Sequence, residues 1–597
     1  MCDLIMKGGV TSGIVYPEAI YQISRVFDLK SIGGTSAGAI AAALAAAAQY
    51  RRVRAPATGE AGYDRVRTVP DVLSTDNRLF KLFTPNAATR ALFNIVVDLF
   101  NPRVPRWLKV LCLVRAYAWL AAVGAAPAVL YAFAAVSVPS LWMRVVHWLV
   151  AIIIAVIGAM GAGVIGLLWD ALRKLPRNCF GLATGIADDP KDTCALGTWL
   201  TQELEATAGL EPERVPLTFG MLWQPGANIG PCEVDEPPQL HTCAVNLQMV
   251  TTSLTEGRPY QFPTSTAPYY FNPDELSKFF PAHVIRWMCD HARKTAATAN
   301  GLMPLPPIGD LPVVVATRMS LAFPILLSAV PLYAMDPSDS SKTPQRVWFS
   351  DGGLTSNFPI AMFDAPLPRW PTLALNFGAF EAQTPADGVV VASSRGPGRL
   401  LQFSQIAGVP GFLVALFNAL QNWNDNMQAT LPGFRDRIAT IALSPDEGGL
   451  NLDMDAATVE RLRERGAAAA QTLIDRFAAP SVLGPGAAVL SWEGHRWTRF
   501  RVEFATLNEH LARYAVAYEG AQQMRDVTYA QLIDAGDPHT IPLRSYPIGE
   551  GAAGREAAQA LATATAALAG QFTAAVGMQN AVPQPMPSLV IRPNLSH

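Results

Sequence analysis

An α/β fold with a mostly parallel sheet is what this 597-residue sequence predicts, on three observations. Short apolar runs that read as strands alternate with helical patterns as far as about residue 385, the signature of strand–helix–strand units. The first two runs end in glycine-rich turns that open helices, Lys7-Gly8-Gly9-Val10-Thr11-Ser12-Gly13 and Gly34-Thr35-Ser36-Ala37-Gly38. A third, over 346–350, ends in Asp351-Gly352-Gly353. In such sheets reactive groups gather at the carboxyl ends of the strands, which is where all three turns fall.

Residues 4–6 give the first strand so close to Met1 that no room for a signal peptide is expected. The turn after it leaves several backbone N–H groups unpaired and pointing outward, an arrangement that binds an anion. It lacks the Gly-Lys-Ser/Thr ending of a P-loop, and a dinucleotide-binding loop is its competing reading. An amphipathic helix is expected from residue 14. Residues 29–32 read as the second strand and the alanine-rich run from residue 39 as a helix of strong formers. The pentapeptide between them joins strand to helix as a nucleophile elbow does. Gly34 and Gly38 allow the two elements to approach closely, and the helix N-terminus favours negative charge developing above Ser36. Ser36 is therefore the candidate nucleophile, with an ordinary glycine-flanked turn as the plain alternative.

Residues 51–98 are mixed and polar, consistent with loops and a surface helix. The pattern then changes abruptly: no charged residue occurs from Ala116 to Met143 or from Val145 to Trp169, and each run exceeds the roughly 20 residues that span a bilayer as helix. Arg144 and His147 fall near Pro139-Ser140-Leu141-Trp142, which reads as the tip of a hairpin. Arg103, Arg106, Lys109 and Arg115 precede the pair and Arg173, Lys174 and Arg177 follow it, so both flanks are expected on the cytoplasmic side. Trp119, Tyr131, Trp142, Trp148 and Trp169 lie where interfacial anchors belong. Ala155, Ala159 and Gly163 recur every four residues, a stripe that lets helices pack closely. The alternative is an apolar hairpin buried in a soluble oligomer or resting on one leaflet.

After Pro176 soluble character returns. Residues 180–185 read as a turn, 198–204 as a helix, 242–252 as a buried strand, 311–318 as a strand leading into a short helix that stops at Pro324, and 371–378 as one more strand. Beyond about residue 388 helical patterns dominate, including 456–465 and 500–511. The alanine- and threonine-rich stretch 551–576 reads as a surface or interface helix rather than a third span, and 583–593 as extended or disordered. The expected organisation is a first catalytic part over 1–103, a helical hairpin over 104–177, a second catalytic part over 178–387 and a mainly helical extension over 388–597.

Lys and Arg number 46 against 48 Asp and Glu, a net charge of −2, which argues against nucleic acid as a partner. Half the residues are hydrophobic and 16% charged, with a mean hydropathy of +0.20, pointing toward a membrane. The seven cysteines are scattered and never form C-x-x-C, so they read as reduced and structural. No cofactor or metal is expected. None of the eight histidines sits in a motif that suggests catalysis, and an elbow as early as residue 36 argues against an α/β-hydrolase fold, where several strands precede it. Lys7 reads as a solvated loop lysine, with a place near the oxyanion as the alternative, and Arg318 has no assigned role.

Together the glycine-rich loop, the serine elbow and the Asp-Gly-Gly strand end resemble the patatin-like phospholipases over roughly residues 1–385. Gly34-Thr35-Ser36-Ala37-Gly38 and Asp351-Gly352-Gly353 match that family's nucleophile and base motifs, and Thr251-Thr252-Ser253 and the 316–324 segment add support. The loop departs from the pattern, with Val10 where a third glycine is usual and Ser12 where a basic residue is common. The resemblance implies a three-layer α/β/α domain and a Ser-Asp dyad of Ser36 and Asp351. It also implies an oxyanion hole from Gly8, Gly9 and Val10, and support from Gly34, Gly38, Gly352 and Gly353. It further implies hydrolysis of phospholipid or other acyl-ester lipids at a bilayer, with a homo-oligomer left open. A non-catalytic lipid-binding or scaffold role and lipid acyl transfer are the competing functions.

Overall fold

The computed structural model describes residues 1–9, 11–100, 105–136, 140–189, 192–224, 243–264, 269–293, 301–336, 343–380, 384–392, 406, 408–444, 447–448, 454–479, 490–520, 528–534, 551–574 and 583–584. Its centre is a mixed sheet whose main strands are β1 (Cys2–Met6), β2 (Leu29–Gly34), β3 (Asn246–Ser253), β4 (Pro344–Asp351), β5 (Thr372–Ala379) and β6 (Ile438–Leu443). Their spatial order is β6-β5-β1-β2-β3-β4. The first five run parallel, while β4 is antiparallel to β3. Val389–Val391 pairs antiparallel with β6 on one side, and Val330–Met335 pairs antiparallel with β4 on the other.

The parallel strands are joined by α1 (Tyr16–Ser24), α2 (Ala37–Arg54) and other helices. All five residues of β1 are buried, as a parallel strand covered on both faces requires. In α2 alanine fills half of the eighteen positions, and thirteen of its residues are buried. Small side chains let this helix lie close against β2 and β3 while covering α3 (Glu60–Ser74) on its other side.

Two further helices, α4 (Ala118–Val136) and α5 (Leu141–Arg177), lie against each other. Their close approach is made by glycine: a Cβ on Gly124 or on Gly158 would collide with the other's carbonyl oxygen. Of the Ala155, Ala159 and Gly163 stripe, Gly163 faces Leu113. α5 is long and apolar enough to cross a membrane, with a mean hydropathy of 2.6 over an 18-residue window of which only 17% is buried. The apolar part of α4, Ala118–Phe133, is shorter.

Three elements differ from the sequence-based expectation. The 311–318 segment is not a strand but helix α6 (Val313–Ser320), all eight residues of which are buried. Pro312 stands at its N-cap, and complete burial outweighs the weak β preference of its three valines. Gly181–Ala183 is a short strand paired with Ile325–Leu327 rather than a free turn. The sheet also does not end near residue 387. After α7 (Gly408–Ala429), β6 extends it in register with β5, and α8 (Ala456–Phe477) packs on α1. The 388–597 region therefore contributes to the central fold as well as supplying α9 (Trp492–Gly520) and α10 (Gly551–Ala574), which pack on each other. Of the expected extended tail, 585–593 lies outside the described residues.

Candidate active site

Strand register brings the separate motifs together. Met6 at the end of β1 pairs with Gly34 at the end of β2, so the two glycine-rich turns leave the sheet side by side. Gly34 in turn pairs with Met249 of β3, and Thr251, two residues on, pairs with Asp351. A serine and an acid 315 positions apart in sequence are thereby two strands apart in space.

Ser36 occupies the turn between β2 and α2 with φ 54° and ψ −128°, a backbone conformation that costs a non-glycine residue about 1–3 kcal/mol. The surrounding packing holds it there. A Cβ on Gly34 would stand 2.5 Å from the Gly38 carbonyl oxygen, and one on Gly38 would collide with that of Met6. Neither position accepts a side chain, which is the physical content of the two glycines. The Ser36 N–H donates to Ser320 Oγ at 3.2 Å, and the Ser320 hydroxyl donates to the Val250 carbonyl at 2.6 Å. The end of α6 therefore braces the turn. Ser36 is 3% exposed.

Asp351 is equally buried. Its Oδ1 accepts the Gly353 N–H at 2.6 Å, and its Oδ2 is buried without a hydrogen-bond partner among the described residues. Burial pushes its carboxyl up to about 7, against the opposing influence of the Ser36 hydroxyl and the Gly353 N–H. The Ser36 hydroxyl is thus one of the two groups that hold this carboxyl's proton affinity down. A Cβ on Gly352 would collide with the Val250 carbonyl, so glycine is required there too. Thr251 and Thr252 hold this strand end through their hydroxyls, to the carbonyls of Ser350 at 2.8 Å and Asp351 at 2.9 Å.

The expected oxyanion donors fare unequally. Gly8 lies beside the nucleophile, since a Cβ there would be 3.1 Å from Ser36 Cβ. Its N–H, however, donates to the Asn357 carbonyl at 2.8 Å and is not free for an oxyanion. Gly9 has no such bond among the described residues, and Val10 lies outside them. Lys7 is not a solvated loop lysine either. Burial lowers its ammonium to about 8, opposed by the nearby Asp425 carboxylate, and its Nζ reaches the Phe377 carbonyl at 3.5 Å. Arg318 is fully buried and donates to the carbonyls of Thr184 at 2.9 Å and Ser328 at 3.0 Å, a packing role. The buried pairs His283–Glu205 and His495–Asp436, at 2.7 and 2.8 Å, involve neither Ser36 nor Asp351.

Two residues escape the motif-based reading. The Asn357 carbonyl receives both the Gly8 N–H and the Thr35 hydroxyl, the latter at 2.9 Å, and so ties all three loops together. Asp425 of α7 accepts from Ser356 Oγ at 3.0 Å and from the Phe358 N–H at 2.7 Å, and burial raises it to about 6. A carboxylate or amide in a helix seventy residues downstream carries no local signal of such a role. A narrow apolar cavity of about 70 Å³ starts at Thr11, Gly13 and Ala37, next to Ser36, and runs between α2 and α3 past Ile40, Leu44 and Leu73. It shares Val69, Leu73, Leu82 and Trp199 with a wider cleft of about 320 Å³ that reaches Arg65 and Arg78.

Fold and site define a class of protein: an α/β chain with a buried serine in a strand-to-helix turn at positive φ, a buried carboxyl at the end of a strand two away, and an apolar helix long enough for a membrane. No protein-family profile matches the chain. It is 32% identical to a protein of Rhizobium meliloti (strain 1021) named RpoH suppressor, over 99% of this chain and 98% of that one. The chain belongs to the family of that RpoH suppressor.

Proposed function

We propose that the protein is a membrane-anchored serine acyl hydrolase of the patatin-like kind, with the three-layer domain the resemblance implies, α4 and α5 as a transmembrane hairpin, and the catalytic loops on the cytoplasmic side. The observation that carries this reading is Ser36 at φ 54° beside a carboxyl whose proton affinity is tuned to about 7. Strain of this kind persists where function needs it, and an acid near neutrality is suited to both taking and returning a proton at physiological pH. The relative's name states no chemistry, so the reading stands on the site.

In this scheme Ser36 Oγ attacks an ester carbonyl carbon and its proton passes to Asp351. The tetrahedral oxyanion collapses, and the alcohol leaves with that proton. Water, deprotonated by the same carboxylate, then releases the acid and restores the serine. The Gly9 N–H and the N-terminal end of α2 are the groups at hand for the oxyanion. The apolar cavity at Ala37, about 70 Å³, has room for only the first few methylenes of an acyl chain.

Ser36→Ala and Asp351→Asn should each lower ester turnover by at least about 10³-fold with the fold intact. Near-normal turnover in either variant would reject the dyad. A second reading, a non-catalytic lipid-binding protein of the same fold, is favoured by the engagement of the Gly8 N–H and by the burial of Ser36. Failure of a fluorophosphonate probe to label Ser36 in the membrane-embedded protein would decide for it.

A further inference from the structure

Helix α7 carries two opposed faces. Phe412, Leu413, Leu416, Leu420, Trp423 and Met427 are all strongly exposed, from 47% to 66%. At 100° per residue they fall within a stripe about 100° wide. On the opposite side Asp425 binds the Ser356 hydroxyl and the Phe358 N–H, and Asn422 accepts from Asn357 at 3.4 Å. Gln421 lies beside Gly353, its Nε2 3.3 Å from where a Cβ would stand. The polar face is thus moored to the loop that begins at Asp351, while the apolar face is exposed.

An exposed apolar stripe of this length marks an interaction surface. Its chemistry selects the partner. No Asp, Glu, Lys or Arg occurs between Arg399 and Asp425, so the surface offers no charge complementarity to a protein. The same chain carries α5, long and apolar enough to cross a bilayer. An in-plane helix with aliphatic residues and a tryptophan on one side suits the boundary between headgroups and acyl chains. We propose that α7 is a membrane-docking helix that lays its 412–427 stripe into the leaflet surface. Its mooring through Asp425 then holds the Asp351–Phe358 loop against that surface. The docking stands independently of catalysis; its consequence, delivery of the site to lipid, rests on the hydrolase reading.

The test uses the full-length protein in zwitterionic phosphatidylcholine vesicles containing a phosphatidylcholine with a diazirine in its acyl chain. Photo-adducts are expected on residues 408–429 as well as on α4 and α5. Leu416→Asp combined with Leu420→Asp should cut the α7 adducts about tenfold or more, the loss of burying about one leucine or more, and leave those on α4 and α5 unchanged. Because insertion is driven by apolar area, raising the salt concentration should not alter the labelling. An α7 free of adducts in the wild-type protein, or adducts indifferent to the two aspartates, overturns the proposal. So does ready disulfide formation between two copies of a Leu420→Cys variant under oxidising conditions. With the hydrolase reading correct, the double variant loses about tenfold in turnover of vesicle lipid and keeps its turnover of a soluble short-chain ester. Labelled α7 in a protein inactive on both esters supports docking and rejects the hydrolase instead.

Discussion

The sheet around Ser36 and the helices α4, α5 and α7 use the same kinds of apolar residue to opposite ends. In the sheet Ile5, Ile32 and Leu375 are wholly buried, and even a serine and a carboxyl are drawn in with them. Along the helices Leu130, Ile157, Leu420 and Trp423 are more than half exposed. The first region gains its stability by removing side chains from water into protein, at about 25 cal/mol per Å². The second leaves that surface outside the protein core, and one of its helices, α5, is long and apolar enough to cross a membrane. The contrast also bears on the chemistry: burial shifts the proton affinity of Asp351, and under the proposed function the apolar helices would bring the surface that supplies an ester.

The sharpest test of the dry pocket is pH-dependent stability. Asp351 is pushed up to about 7 in the folded protein against 3.8 for an ordinary aspartate, so the folded protein holds this proton more tightly than the unfolded chain. The stability it contributes is complete below about pH 4 and lost as pH rises through 7, a change on the order of 4 kcal/mol. Asp351→Asn, which cannot ionise, should therefore be more stable than the parent at pH 8, with the gain shrinking to nothing near pH 4. Thermal unfolding in detergent at the two pH values measures it, and equal offsets at both would mean the pocket is wet.

Next in size is a pair of truncations that sets the two regions side by side. Ile32→Ala in β2 should cost about 3 kcal/mol, while Ile157→Ala on the outward face of α5, where the side chain is 65% exposed, should cost less than about 1 kcal/mol. Comparable losses would erase the distinction. Ile157→Asp should then cost about 3 kcal/mol of membrane insertion and shift the protein out of the carbonate-resistant fraction. Retention there at the wild-type level would count against α5 as the anchor. Smallest is the expected pH profile of ester turnover: kcat/KM rising tenfold per unit below pH 7 and flat above it, because the base must be ionised to accept the serine proton. A bell with its maximum below 6 would point to a different base.

Much of the site was legible in the sequence because its constraints are local. Gly34 and Gly38 are demanded by backbone atoms a few residues or one strand away, so the pentapeptide reads as a strained turn before any coordinate is known, and its strand and helix were found where expected. Alternating apolar runs likewise disclosed β1 to β5, and two charge-free stretches disclosed α4 and α5. What local pattern could not supply was anything decided by contact. The valines of α6 favour a strand in isolation and are helical because every one is buried. β6 lay hidden among helical patterns beyond residue 388, joined to the sheet only by its register with β5.

The roles of Gly8, Asn357 and Asp425 belong to the same category. Whether a backbone N–H is free or already engaged depends on which carbonyl the fold brings to it, and no motif records that the Asn357 carbonyl takes the Gly8 N–H. The stripe on α7 was present in the spacing of residues 412–427, but a neutral amphipathic helix says nothing of what its polar side grips. Sequence determined the backbone conformations that glycine alone permits and the amount of apolar surface to be hidden. Tertiary structure decided the hydrogen-bond partners, the dryness of the pocket and therefore the proton affinity of its acid, since these depend on distances between groups hundreds of residues apart.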